Sequence, residues 1–330
     1  MIARAAVVSA AVILLATAGG AVALSYRNDL GAARQRTAAA HVLATRCGPV
    51  QYAEVGSGPA LLVVHGAGGG FDQALEVAGG FARHGWRVIA VSRFGYLGTP
   101  LPQDASPEAQ ADAHACALDA LDIPRTAVLG ASAGAPSAMQ LALRHRDRVS
   151  ALVLLVPAAY WPHPASEQSL RSPADTNAVF NSALTSDFGY WAASRVVPGL
   201  LIRELLATLP EVVAAAPVPE RERVARMIDH ILPVSARRAG LLNDAHVVAT
   251  LPRYDLESIQ APTLVVSASD DLFGTLEPAR YTAAHIPGAR FVGFERGGHL
   301  LVGHQDEVDA LVAGFLARTQ AAADTPARAR

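Results

Sequence analysis

Short apolar runs without polar alternation govern what this chain can become: residues 60–64, 126–129 and 149–156 are each apolar and bounded by turn residues. Strands buried on both faces read this way, and such strands belong to parallel sheets covered by helices. Residues 87–92 supply a further buried strand. Helix-like stretches fall between the strands, at 107–121 and at 136–145, where Met139, Leu141, Ala142 and Leu143 recur as on a helix. Residues 51–55 and 60–64 flank Gly56-Ser57-Gly58-Pro59, a turn composition that predicts a hairpin. The alternation resumes with a strand at 263–267, a helix at 277–285, a strand at 290–294 and a helix at 305–318. Between the two blocks, Pro162, Pro164, Pro173, Pro198, Pro210, Pro217, Pro219 and Pro233 punctuate short helical stretches without a convincing strand. The expected fold class is α/β, a mostly parallel β-sheet flanked by helices with an inserted helical cap. Residues 41–157 and 251–319 form its core, 158–250 the cap and 320–330 a flexible tail.

Composition excludes several classes of function. The chain of 330 residues is 51% hydrophobic and 17% charged, with a formal net charge of −2, which suits a compact domain and supplies no basic stripe for nucleic acid. Cys47 and Cys116 are too few for a disulfide framework and lack zinc spacing with the histidines. They read as two free or buried thiols, with a single disulfide between them as the alternative.

Residues 5–24 form an almost uninterrupted apolar run behind Arg4, and about 20 such residues span a bilayer. Ala21-Val22-Ala23 also has the small residues of a secretory cleavage site, whereas Arg27, Arg34 and Arg36 argue against simple export. The expectation is a single-pass anchor over 1–24 that makes the membrane a partner, followed by a polar linker over 25–40. The alternatives are a cleaved signal with a secreted or periplasmic product, and a buried soluble helix.

The chemistry centres on Gly130-Ala131-Ser132-Ala133-Gly134, between the strand 126–129 and the helix 136–145. A sharp strand-to-helix turn exposes a serine in a strained conformation, and flanking glycines let strand and helix pass close to it. His65-Gly66-Ala67-Gly68-Gly69-Gly70 follows the strand 60–64. Its Ala67 N–H and the Ala133 N–H are candidate oxyanion donors. The rival reading, a phosphate-binding loop, lacks the Gly-Lys-Ser/Thr ending. Ser269-Asp270-Asp271 and Gly297-Gly298-His299 end two successive downstream strands, giving the chain order Ser, Asp, His. A serine hydroxyl needs a base to become nucleophilic, and a carboxylate to hold that base in the correct tautomer.

Together these residues resemble the α/β-hydrolase fold family over residues 51–318. Residues 92–99, Ser-Arg-Phe-Gly-Tyr-Leu-Gly-Thr, look like that family's Asp-x-Arg/Pro-Gly-x-Gly-x-Ser loop, with Ser92 replacing the usual acid. The resemblance implies Ser132 as nucleophile, His299 as base and Asp271 as orienting acid. Ala268 stands where the family has glycine, which leaves Asp270 as the alternative. A serine rather than an aspartate at the elbow argues for acyl-enzyme chemistry on a small or medium apolar ester, thioester or lactone, without metal or organic cofactor. The same triad is also known in this fold for carbon–carbon bond hydrolysis, perhydrolysis and acyl transfer, and a non-catalytic tethered binding protein is the reading from another class. In the cap, Tyr160, Trp161, Phe180, Phe188, Tyr190 and Trp191 either line an apolar substrate pocket or pack the cap onto the core. His163, His230 and His246 have no motif around them and read as structural or exposed.

Overall fold

A computed structural model of the chain describes residues 2–162 and 184–324. Its strands are β1 (His41–Thr45), β2 (Gly48–Val55), β3 (Ala60–Val64), β4 (Arg87–Val91), β5 (Thr126–Ala131), β6 (Val149–Leu155), β7 (Thr263–Ala268) and β8 (Arg290–Phe294). They build one eight-stranded sheet in the order β1-β2-β4-β3-β5-β6-β7-β8, parallel from β4 through β8. Alternate residues of the central strands enter two different cores. Leu62, Val64, Val128 and Leu152 pack with Leu118 and Met139 on one face, while Leu61, Val63, Leu129 and Val153 pack with Phe71, Val312 and Leu316 on the other. The helices that cover these faces are α2 (Phe71–Ala78), α3 (Pro107–Ala120), α4 (Ala135–Arg144), α10 (Leu276–His285) and α11 (Gln305–Asp324).

The hairpin expected between residues 51–55 and 60–64 does not form. β2 instead pairs antiparallel with β1 and with β4, Tyr52 facing Val91, and β3 lies parallel between β4 and β5. Leu61 to Val64 are fully buried, and only an interior strand covers both faces of such a run. β1, half-exposed at the sheet edge, has no apolar run to reveal it.

The two cysteines are not free. Cys47, in the β1–β2 turn, and Cys116, on α3, form a disulfide across 69 residues of chain. Their proximity depends on α3 packing against β1, a tertiary contact that cysteine spacing does not encode.

The N-terminal expectation is overturned. Among the described residues no helix is long and apolar enough to cross a membrane, so neither the anchor over 1–24 nor the localisation built on it stands. The stretch is largely alanine, with Thr17 and Gly19-Gly20 inside it, which lowers its apolarity. The polar stretch 25–40 is not a separate linker up to residue 38, because α1 (Ile2–Ala38) continues through it and docks on the cap. Leu30 and Ala33 are buried, the Asp29 carboxylate accepts from Trp191 Nε1 at 2.7 Å and Arg195 at 2.9 Å, and Arg36 donates to the carbonyls of Asp229 and Leu232. At the other end α11 runs on to Asp324, so residues 320–324 are helical rather than a tail.

The proline-punctuated stretch folds as α5 (Asp187–Val196), α6 (Pro198–Glu204), α7 (Pro210–Ala215), α8 (Val218–Asp229) and α9 (Arg238–Ala249). Prolines sit in the first turn of α6, α7 and α8, where a missing N–H costs no helical hydrogen bond. His163 and Phe180 lie outside the described residues.

A disulfide closing a long loop stabilises a fold by about 2–4 kcal/mol. Reduction, or the pair Cys47→Ser and Cys116→Ser, is therefore expected to lower the urea midpoint and, because the uncrosslinked unfolded chain is less compact, to raise the m-value. An unchanged midpoint after complete reduction, followed by circular dichroism, counts against this bridge.

Candidate active site

Parallel pairing brings the C-terminal ends of β3, β5, β7 and β8 to one edge of the sheet, and the sequence-expected site residues follow those ends. Ser132 comes directly after β5, in a one-turn 3-10 segment that leads into α4. Its φ of +50° is in the left-handed region, a strained conformation for a residue with a Cβ. Surrounding packing holds it there. A Cβ on Gly130 would lie 2.6 Å from Ala138 Cβ, and one on Gly134 would lie 2.4 Å from the Val64 carbonyl oxygen and 2.5 Å from that of His65. Only glycine lets the elbow sit this tightly on α4 and on the end of β3.

The serine meets an imidazole, and the imidazole meets a carboxylate. Ser132 Oγ lies 2.8 Å from His299 Nε2, and His299 Nδ1 lies 2.8 Å from Asp271 Oδ2. A carboxylate only accepts, so Nδ1 carries the proton and Nε2 is free to accept from the serine hydroxyl. Asp271 is itself fixed: it accepts from the Phe273 N–H at 2.9 Å and from the Thr275 hydroxyl, and Thr275 also bonds Ser267. The alternative acid has another task. Asp270 accepts from the N–H groups of Gly297 and Gly298 and so fixes the turn before His299. The Phe273 ring stands edge-on to the imidazole at 4.8 Å.

Ser132 and His299 open onto a cavity of about 100 Å³. Gly66 and Ala67 border it beside the serine, and Leu205, Leu206, Met227 and Leu301 give it apolar walls. The described cap aromatics are not among its walls. Phe188, Trp191 and Tyr26 of α1 pack on one another, Tyr160 packs on Tyr281, and Tyr190 is buried with its hydroxyl donating to the Ile228 carbonyl. Among the described cap residues, aliphatic side chains rather than aromatic ones line this cavity. Among the described residues no group of three His, Cys, Asp or Glu side chains is arranged to hold a metal ion.

The loop 65–70 is gripped by polar groups that no motif announces. Arg93 donates from its backbone N–H to His65 Nε2 at 3.0 Å and from Nε to the His65 carbonyl at 2.8 Å. The Tyr96 hydroxyl accepts from the Gly68 N–H at 3.2 Å. Arg237, fully buried, pairs with Asp72 at 2.7 Å and donates to the Gly69 carbonyl. Ser92, at the family's acidic position, accepts from the Phe71 N–H. Burial, then the Arg93 charge, pushes the His65 pKa well down, so its ring is neutral.

An open parallel sheet with a strained serine after a central strand, a histidine and acid after the last two strands, and a helical cap above defines an α/β hydrolase. The family model for the alpha/beta hydrolase fold matches residues 59–303. The chain belongs to that family and is a hydrolase. It is 29% identical over 239 residues to a pimeloyl-[acyl-carrier protein] methyl ester esterase of Neisseria meningitidis, covering 70% of this chain and 83% of the relative. It is 27% identical over 272 residues to a 2-hydroxy-6-oxononadienedioate/2-hydroxy-6-oxononatrienedioate hydrolase of Paraburkholderia phymatum, covering 76% and 84% respectively. Among solved structures, an alpha/beta hydrolase fold protein from Nakamurella multipartita matches with a TM-score of 0.64 at 31% identity, covering 86% of this chain and all of that one.

Gly134→Ala is expected to destabilise the protein by about 1–3 kcal/mol, as overpacking does, because its Cβ meets the backbone of β3. A denaturation midpoint equal to wild type removes the close-approach argument. Beneath the elbow His114 is buried, and burial, then the Arg93 charge, pushes its pKa down from 6.5 to about 3. A neutral His114 contributes stability that is complete above pH 6.5 and lost as pH falls toward 3, because the unfolded chain binds the proton first. His114→Gln is expected to flatten the acid limb of the stability curve over that window; an unchanged slope rejects the buried neutral state.

Proposed function

We propose that this chain is a serine hydrolase that cleaves a small or medium apolar carboxylic ester, thioester or lactone through an acyl-enzyme. The observation that carries this reading is the Ser132–His299–Asp271 relay of 2.8 Å contacts at the wall of an apolar cavity. Ser132 Oγ attacks the carbonyl carbon as His299 Nε2 takes its proton, and the tetrahedral oxyanion turns to the N–H groups of Ala67 and Ala133. His299 then gives the proton to the departing alcohol, thiol or alkoxide. In the second half, His299 takes a proton from water as the water attacks the acyl carbon, then returns that proton to Ser132 Oγ as the C–O bond to the serine breaks and the acid leaves. Asp271 orients the imidazole and offsets its charge while it is protonated. A cavity of about 100 Å³ favours a short acyl group over a long one, and similarity to a methyl ester esterase agrees with ester chemistry.

A second reading is hydrolysis of a carbon–carbon bond by the same triad, supported by the similarity to a 2-hydroxy-6-oxononadienedioate hydrolase. A p-nitrophenyl ester series and a meta-cleavage dienoate, assayed side by side, separate the two. Ester turnover is expected, falling as the acyl chain outgrows the cavity; turnover of the dienoate alone transfers the assignment to carbon–carbon chemistry.

A fluorophosphonate is expected to label Ser132, and Ser132→Ala to lose both label and turnover by at least about 10³-fold, with Asp271→Asn losing several orders of magnitude through the wrong tautomer. Ser132→Ala retaining turnover defeats the mechanism.

A further inference from the structure

The cap does more than roof the cavity. Asp244, on α9, is buried and receives Arg93 Nη1 and Nη2 in a two-pronged pair at 2.6 Å each, together with the Tyr96 hydroxyl at 2.5 Å. Those two partners are the side chains that hold the loop 65–70: Arg93 fixes its His65 end, and the Tyr96 oxygen accepts the Gly68 N–H. Ala67 lies between the two anchored residues. Burial, and then the Asp244 charge, raise the Tyr96 pKa well above its ordinary value, so the phenol keeps its proton and can donate to Asp244 while accepting from Gly68. Arg93 remains charged because attraction to Asp244 outweighs the burial that would lower its pKa.

The docking of α9 is equally close. The Gly240 N–H donates to the Gly95 carbonyl at 3.0 Å, and the Leu97 N–H donates to the Ala236 carbonyl at 2.7 Å. A Cβ at Gly240 would lie 2.2 Å from the Tyr96 ring, so the helix is shaped to seat that ring. Arg237 stands seven residues, about two helical turns, before Asp244 and binds the far end of the same loop at Gly69. Asp244 on α9 and Arg237 at its N-terminal cap therefore reach the loop's two ends, the first through Arg93 and Tyr96.

We propose that Asp244 is a positioning residue for the oxyanion donor: through Arg93 and Tyr96, cap helix α9 sets the direction of the Ala67 N–H. This rests on the assignment of Ala67 as an oxyanion donor given above. A carboxylate in the cap thus couples cap seating to catalytic competence, because a displaced α9 releases Tyr96 and with it Gly68. Donor misplacement weakens stabilisation of charge that exists only in the transition state, so it lowers kcat and leaves ground-state binding nearly unchanged.

The test compares Tyr96→Phe, Gly240→Ala and Asp244→Asn with Asp29→Asn, which loosens the α1–cap contact remote from the loop. Steady-state hydrolysis of p-nitrophenyl acetate and butyrate, melting temperature and amide exchange of a peptide containing residues 65–70 are measured on the full chain. Tyr96→Phe and Gly240→Ala are expected to lower kcat by about tenfold or more with KM within about threefold, as for a misplaced catalytic group, and to speed exchange at Gly68. Tyr96→Phe combined with Asp244→Asn is expected to lose no more kcat than the worse single variant. Asp29→Asn is expected to lower the melting temperature while kcat stays near wild type. Wild-type kcat in both Tyr96→Phe and Gly240→Ala overturns the proposal, as does unchanged Gly68 exchange. If Asp244→Asn fails to fold, those two variants decide. A wild-type protein that turns over no ester defeats the ester assignment instead, and the exchange measurement still decides whether Asp244 governs the loop.

Discussion

Parallel pairing of β3, β5, β6, β7 and β8 is the constraint from which the rest of the molecule follows. In a parallel sheet every strand ends at the same edge, so the segments after β3, β5, β7 and β8 meet although they are far apart in sequence. Ser132 and His299 are separated by 167 positions and yet make a 2.8 Å contact. The geometry has a cost, which appears at the elbow, where Ser132 takes a left-handed conformation. Strain of about 1–3 kcal/mol persists only where surrounding structure over-determines it. Here the over-determination is physical contact, with Gly134 against two carbonyls at the end of β3 and Gly130 against Ala138.

The second organising element is the polar bridge between cap and core. Most of the cap's own cohesion is apolar, with Tyr190, Leu201, Val224, Met227 and Ile231 in one cluster, and such packing tolerates sliding. Charge pairs buried in that setting do not. Arg93 with Asp244 and Arg237 with Asp72 each join the two parts at 2.6 to 2.7 Å. A buried pair adds little net stability over apolar packing, whereas losing one partner is strongly destabilising, so such pairs act mainly to define geometry. Two of them flank the loop 65–70 that borders the cavity beside Ser132.

Legibility in the sequence followed the range of the interactions. The buried strands, the elbow and the acid and histidine after β7 and β8 were readable because each is a local pattern, a short apolar run followed by a characteristic turn. Asp271 rather than Asp270 was recoverable only from resemblance, since adjacent carboxylates differ in direction and not in type. The position of β3 inside the sheet was not readable from its turn, because Gly56 to Pro59 are compatible with a hairpin and with a crossover alike. The Cys47–Cys116 bridge depends on α3 meeting β1. The N-terminal run misled because an apolar stretch was weighed without its docking partner: the same helix, a turn and more beyond the run, carries Asp29 and Arg36 into contact with the cap and buries Leu30 and Ala33. Asp244 gave no signal at all. A single acid on a helix normally faces water, and only the arrival of Arg93 and Tyr96 from 148 or more residues away gives this one buried partners.

The cap aromatics carry the corresponding lesson about substrates. Their large apolar surfaces were compatible with pocket lining and with packing alike, and in the fold the described ones pack: Phe188 and Trp191 meet Tyr26 of α1, and Tyr190 is buried within the cap. The walls facing Ser132 are instead Leu205, Leu206, Met227 and Leu301. Flexible aliphatic side chains, methionine above all, fit apolar groups of varied outline at small energetic cost. The site thus joins a rigid reacting edge, held by backbone contacts and buried ion pairs, to an adaptable apolar wall. Discrimination by such a wall is limited to about 1–3 kcal/mol per methylene, so it grades apolar groups by bulk rather than selecting one absolutely.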